Sequence, residues 1–377
     1  MRCDPIEQAT TNLAHDCGIS FCGCGTRRTF LRSIAAIGAG SALAIPAIWT
    51  QGPALAKSAA SAKPHRIDVH HHMFPPFVQE LWKKSNVRTA PVVMRWTVDA
   101  TLDQMNRAGV ATTILSVLAS GGFNIPKLSV AEHRRLARMA NDYAVKLRSE
   151  HSGRFGIFAF VPMPDIDGTL KEIEYALDVI KADGIGLSTS YGNRFLGDPD
   201  YRTVMEELNR RKAVVYVHPS RPECCDRRKP NVPGSSTEYP QDTKRTVMSL
   251  LFSGTFTRTR DIRWIFSHVG AAVPLLAGRV NSLAKIQLKN AAQVLPDGID
   301  FELKRLHYET ANVAHTPNMA ALLKYVSASQ VLFGTDYPYV AVVENAADLM
   351  KAGLSQDQIK AIDNENAIRL MPQLRSA

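Results

Sequence analysis

From residue 66 onward the chain alternates short β-branched apolar runs with longer segments whose apolar positions recur at helical spacing. The short runs predict strands at Arg66–His70, Ala111–Val117, Phe155–Val161, Gly184–Ser188, Ala213–His218, Ile262–His268, Leu306–Thr310 and Val331–Thr335. Helices are predicted between them, among them Ala131–Glu150, Thr169–Asp183, Asp200–Lys212 and Ala271–Ala292. The first places Leu136, Met139, Ala140, Tyr143 and Leu147 on one face and charges on the other. Strands that alternate with helices imply parallel βαβ units. Eight such units between residues 65 and 377 predict an α/β protein with one domain, a (β/α)8 TIM barrel. An open dinucleotide-binding sheet is disfavoured, because no Gly-x-Gly-x-x-Gly turn follows any strand. Two connections, 71–98 and 219–240, are longer than a barrel needs and follow strands, which puts them at the face where barrel enzymes do chemistry.

The first fifty-odd residues follow a different pattern. Thr26-Arg-Arg-Thr-Phe-Leu-Arg32 matches a twin-arginine export signal, and Ser33–Ala56 contains no charged residue. Ala54-Leu55-Ala56 offers the small residues a signal peptidase requires. The stretch is only weakly apolar and contains Pro46, which suits a cleaved signal better than a membrane span. Residues 1–56 are therefore expected to be a twin-arginine signal peptide, 57–64 a linker and 65–377 the barrel. The export machinery becomes an expected partner, and the location periplasmic or otherwise extracytoplasmic. Cys3, Cys17, Cys22 and Cys24 would leave with the signal, so only Cys224 and Cys225 belong to the mature chain. The composition of the full 377 residues, 45% apolar and 21% charged, excludes disordered, collagenous and disulfide-scaffold classes. The net charge of +10 is dispersed over short clusters with no recognition motif, so no nucleic-acid partner is expected.

The polar residues that end the predicted strands carry the chemistry. His70 and His72 close the first strand two residues apart, on one face, while His71 faces away. His218 closes the fifth strand, His268 the sixth and Asp336 the eighth. In a barrel these ends converge on one mouth. Three imidazoles and a carboxylate suit Zn, Mn, Fe or Co and leave room for water or substrate; the expected cofactor is one divalent ion, Zn first and Mn second.

Asp68-Val-His-His-His72, Val217-His-Pro219, Phe266-Ser-His-Val-Gly270 and Phe333-Gly-Thr-Asp-Tyr-Pro338 resemble motifs of the amidohydrolase superfamily, most closely its aminocarboxymuconate-semialdehyde decarboxylase branch (amidohydrolase 2). Leu196-Gly-Asp-Pro-Asp200 and Ala277-Gly-Arg-Val280 add to that resemblance, which runs from about Ile67 to the C-terminus. It implies that His70, His72, His218 and Asp336 hold the metal and that His268 is the acid/base, with Asp336 shared between the metal and the catalytic group. It further implies that Arg95 and Arg279 grip a substrate carboxylate, the latter across a homodimer interface. The predicted fourth strand, Gly184–Ser188, with Thr189 after it, contains no Lys to carry a bridging carbamate, which favours a mononuclear centre.

The leading expectation is a metal-dependent, non-oxidative decarboxylase (a carboxy-lyase) of a small aromatic or unsaturated carboxylic acid, salicylate-type phenolic acids being favoured. The alternative is a mononuclear metal-dependent hydrolase of a lactone, ester or amide, which the same ligands could serve. A non-catalytic binding protein is a third reading, and His268 beside four ligands argues against it. Phe74, Trp82 and Trp96 are candidates for an apolar pocket wall, and Tyr191 and Asn193 for the substrate mouth. Glu309 is expected to be a buried residue paired with a neighbouring Arg.

Overall fold

The computed structural model describes residues 64–117, 123, 125, 128–220, 233–287 and 290–376. The signal peptide, most of the linker and the Cys224-Cys225 pair lie outside the described residues. Eight parallel strands form one sheet in the order in which they occur in the chain. They are β1 (Arg66–His72), β2 (Val110–Ser116), β3 (Phe155–Phe160), β4 (Gly184–Ser188), β5 (Val214–His218), β6 (Arg263–Phe266), β7 (His307–Glu309) and β8 (Val331–Leu332). The ring closes beyond β8, where Val69 N–H donates to Phe333 O (2.9 Å), His72 N–H to Tyr337 O (2.9 Å) and Asp336 N–H to His70 O (2.8 Å). The strands are buried along almost their whole length, as expected for a parallel sheet covered by helices.

The covering helices are α1 (Val98–Ala108), α2 (Val130–Glu150), α3 (Ile166–Glu174), α4 (Arg202–Arg210), α5 (Gly234–Phe252), α6 (Val273–Gln287), α7 (Thr316–Tyr325) and α8 (Val342–Lys351). Local sequence sets several of their ends. Ser129 and Glu132 form a reciprocal capping box at the start of α2. Thr97 caps α1, and Gly109 ends it in the left-handed region at φ 67°. Among the described residues no helix is long and apolar enough to cross a membrane.

Most strand ends fall within one residue of the predicted ones, but two strands stop two or three residues before their apolar runs end. β6 stops at Phe266 because His268, Val269 and Ala271 adopt φ of 54°, 51° and 55°, a left-handed turn no strand can contain. β8 stops at Leu332, after which the backbone leaves β7 and pairs with β1. The long connection after β1 is not a bare loop, since it carries the short helices Pro76–Lys84 and Pro91–Met94. Both distortions and that connection sit at the C-terminal rim, where the histidines converge.

Candidate metal centre and acid–base histidine

Strand alternation puts His70 and His72 on the barrel's inner side, above a floor made by Tyr216 and Phe158, whose rings stack 5.1 Å apart. The His70 and Tyr216 ring centroids lie 5.4 Å apart. At the rim the ligand atoms of His70, His72, His218 and Asp336 all lie within 4.8 Å of one another, and all four residues are buried. His70 Nε2 and His72 Nε2 approach to 3.2 Å, and Asp336 Oδ1 stands 3.3 Å from the first and 3.0 Å from the second. Asp336 reaches this position with φ at 63°, a conformation a non-glycine residue holds only when its surroundings enforce it.

The outer ring nitrogens fix which atoms face inward. His218 Nδ1 lies 2.8 Å from Pro219 O; a carbonyl can only accept, so Nδ1 carries the proton and Nε2 presents its lone pair to the centre. His70 Nδ1 lies 2.8 Å from Glu309 Oε1 and is fixed in the same sense. His268 Nδ1 donates to Ala311 O at 2.8 Å, which leaves its Nε2 as the atom that can gain and lose a proton. The His268 ring is half-buried and lies 5.0 Å from that of His70.

Electrostatics match a cation site. Burial pushes His70 down, yet the Glu309 and Asp336 carboxylates outweigh it and hold the imidazole up to about 10. Burial pushes His72 down to about 4 despite its bond to Asp336. His218 also falls well below its ordinary value through burial and the neighbouring His72 and His70. Burial would raise Asp336, but the positive His70 beside it holds the carboxyl well below the usual range. The chamber thus gathers two carboxylates, one imidazolium and two neutral imidazoles. A divalent cation needs its imidazole ligands neutral and would displace the His70 proton on binding, so the donor set fits one.

Asp68 ties the β1 end to the β8 end. Its Oδ1 accepts from His70 N–H at 3.0 Å, and its Oδ2 accepts from Thr335 Oγ1 at 2.6 Å. His71, facing away from the centre as predicted, bonds that same Oδ2 at 2.9 Å and stacks on Tyr337 with centroids 4.7 Å apart.

The structure brings His70, His72, His218, Asp336 and His268 together. It places Arg95 at the exposed end of the helix Pro91–Met94 and Arg279 on the exposed side of α6. Phe74, Trp82 and Trp96 are buried, with the Phe74 ring 6.2 Å from His72 and 5.8 Å from Trp82. Tyr191 folds back so that its hydroxyl accepts from Ser188 N–H at 2.9 Å, and Asn193 is exposed. Glu309 is buried as expected, but its partner is not an arginine: it holds His70 Nδ1, and His268 N–H and Ala311 N–H donate to it at 2.8 and 2.5 Å. A Cβ at Gly334 would run into this carboxylate and into His70 Cβ, so only glycine leaves Glu309 its place. Sequence reasoning missed that role because the residue's neighbours come from β1 and β6, not from its own strand. Tyr339, whose ring meets His72 edge-on at 5.6 Å, was also missed; its signal is the spacing of three residues after Asp336.

Residues 67–372 match the family described as amidohydrolase. Among curated relatives, the decarboxylase yanB of Aspergillus niger is 34% identical over 327 residues, covering 82% of this chain and 88% of the relative. The 6-methylsalicylic acid decarboxylase acuB of Aspergillus aculeatus is 32% identical over 329 residues, covering 83% and 97%. Among solved structures, 5-carboxyvanillate decarboxylase LigW of Sphingomonas paucimobilis shares the fold with a TM-score of 0.72 at 19% identity, over 82% of this chain and 99% of that one.

Proposed function

This chain belongs to the amidohydrolase family, and from that premise we propose that it is a metal-dependent, non-oxidative decarboxylase of a small aromatic carboxylic acid, of the salicylate type. The carrying observation is the buried quartet His70, His72, His218 and Asp336 beside a histidine whose Nε2 is free for proton transfer, in a chain whose relatives are decarboxylases. One divalent ion, Zn favoured by the histidine-rich set and Mn the alternative, would be held by the quartet and would supply Lewis acidity toward a substrate oxygen.

The chain's own residues do the remainder. His268 Nε2 delivers a proton to the ring carbon that bears the carboxylate. The carbon–carbon bond then breaks, its electron pair restores the aromatic ring, and CO₂ departs. The Ala311 carbonyl keeps the imidazole in the tautomer that can be recharged from solvent. Phe74 and Tyr339, both ring-to-ring with His72, supply flat apolar surface suited to an aromatic acid. Arg95, and Arg279 from across a homodimer interface, are assigned to the substrate carboxylate, for which a guanidinium fork is suited. Arg279 shares α6 with Leu275 and Ile286, which are 73% and 81% exposed, consistent with a homodimer across this helix. The Thr26–Arg32 motif supports twin-arginine export to an extracytoplasmic compartment.

The test is to load the protein with Zn or Mn and offer hydroxybenzoic acids beside aryl esters and lactones. Release of CO₂ from an ortho-hydroxy acid is the expected result. Turnover of the esters or lactones with no CO₂ from any acid would reject the proposal.

A further inference from the structure

Behind His218, away from the centre, lies a buried carboxylate that the reaction does not use. Asp242, on α5, is fully buried. Its Oδ2 accepts from the hydroxyls of Thr189, Ser190 (3.0 Å) and Ser220 (3.2 Å), which come from the segments that follow β4 and β5. Three hydroxyls gathered on one oxygen tie two rim segments to a helix, and β5 supplies the metal-ligand candidate His218.

The bonds continue in one direction to the imidazole. Thr189 Oγ1 donates to Asp242, so its lone pairs are free to accept, and Ser220 N–H donates to them at 2.8 Å. That N–H belongs to the Pro219–Ser220 peptide unit, whose carbonyl accepts from His218 Nδ1 at 2.8 Å. Thr189 N–H in turn donates to His218 O at 2.9 Å, which fixes the histidine's backbone to the same residue. A planar peptide cannot turn its carbonyl without turning its N–H. The orientation of the group that holds His218 is therefore set by Thr189, and Thr189 is set by Asp242.

We infer that Asp242 is a positioning residue for the metal centre, acting through Thr189 and the Pro219–Ser220 peptide to orient His218 and strengthen its Nε2 as a donor. A carboxylate polarises each bond of such a chain in the same sense, which makes the imidazole a better electron-pair donor, as when a carboxylate bonds a ligating histidine directly. Here the same influence passes through a hydroxyl and a peptide. The inference rests on His218 being a metal ligand, as proposed above.

The experiment measures Co(II) affinity by chelator competition and records the visible spectrum of the cobalt-loaded protein. Thr189→Val removes the hydroxyl at the middle of the chain while nearly keeping its shape, and Thr189→Ser restores it. Asp242→Ala removes the anchor, and Asp242→Asn keeps an oxygen able to accept the three hydroxyls. We expect Thr189→Val and Asp242→Ala to lose about 10–100-fold in cobalt affinity and to shift the spectrum. Thr189→Ser and Asp242→Asn should restore most of both. The comparator is Asn141→Ala, which breaks equally buried bonds to Phe160 N–H and O between α2 and β3, neither of which bears a ligand candidate; it should lower thermal stability and leave cobalt binding unchanged. Should Asp242→Ala fail to fold, the Thr189 pair carries the test alone. Affinity and spectrum unchanged in Thr189→Val, or changed to the same extent in Asn141→Ala, overturn the positioning role. Wild-type protein that takes up no cobalt overturns the metal-centre reading and this inference with it.

Discussion

The rim of β1, β5 and β8 and the two arginine-bearing segments are held in opposite ways. His70 and His218 are each fixed through their outer ring nitrogen, and Asp336 is set by a left-handed backbone whose N–H is bonded to His70 O. Arg95 and Arg279 stand exposed on a short helix end and on a helix surface. The difference matches the roles proposed for the two sets of residues. Ring nitrogens brought within 3.2 Å of each other beside a carboxylate in a buried chamber stay there only if the surrounding structure enforces it. A guanidinium that grips an anionic substrate can wait in water and be ordered by the ligand. On the roles proposed above, preorganisation falls on the quartet, and the arginines are left to be ordered by the substrate or by a partner subunit.

The sharpest way to break this contrast is at the rim. His218→Ala should abolish stoichiometric metal uptake, measured by elemental analysis after loading; full metal content in the variant would remove His218 from the ligand set. His268→Asn should keep its metal and lose about 10²–10⁴ in turnover, because general acid catalysis is worth that much. Near-wild-type rates would take away its role as proton donor. Arg95→Ala and Arg279→Ala should each cost about 1.5–3 kcal/mol in kcat/KM, roughly ten- to a hundredfold, with metal content intact. Unchanged kcat/KM in both would return them to the solvated surface.

The smallest effect is expected from a surface pair that touches neither region. The Glu207 carboxylate lies 2.8 Å from Arg210 Nε and 2.5 Å from Arg211 Nε. Its bond to Arg210 holds it at about 2, against an ordinary 4.5. A depressed carboxyl stabilises the fold above its unfolded value, and that contribution is lost as the pH falls from 4.5 through 2. Glu207→Gln should therefore lower stability by less than about 1 kcal/mol at neutral pH. The gap from wild type should close in acid unfolding curves, and metal content and turnover should not move. A pH-independent difference would mean the pair acts by packing rather than charge.

The same contrast explains what could be seen from the chain alone. His70, His72, His218 and Asp336 sit where apolar runs end, and the period of two in a strand is enough to aim the histidines inward, whereas Asp336 is aimed by its left-handed backbone. All eight strands lie where those runs predict, but β6 and β8 stop two or three residues early. The left-handed turn at His268–Ala271 and the pairing of residues after Leu332 with β1 depend on partners distant in sequence. Glu309 was visible as an acid at a strand end, yet its partnership with His70 depends on the room left by Gly334 in another strand. Asp242 gave no signal, because it lies within a helix of low amphipathic contrast and its three hydroxyl partners come from two other segments. Local pattern reveals groups that a strand aims, and hides groups that are aimed by contacts between elements.

The central claim, proton delivery with loss of CO₂ at a metal held by the rim quartet, is tested most directly by running the metal-loaded enzyme on a salicylate-type acid in D₂O. The account predicts one CO₂ per turnover and a phenol carrying one deuterium at the carbon that lost its carboxylate, with both formed about 10²–10⁴-fold more slowly in His268→Asn. Consumption of the acid without CO₂ and without deuterium at that carbon would contradict it.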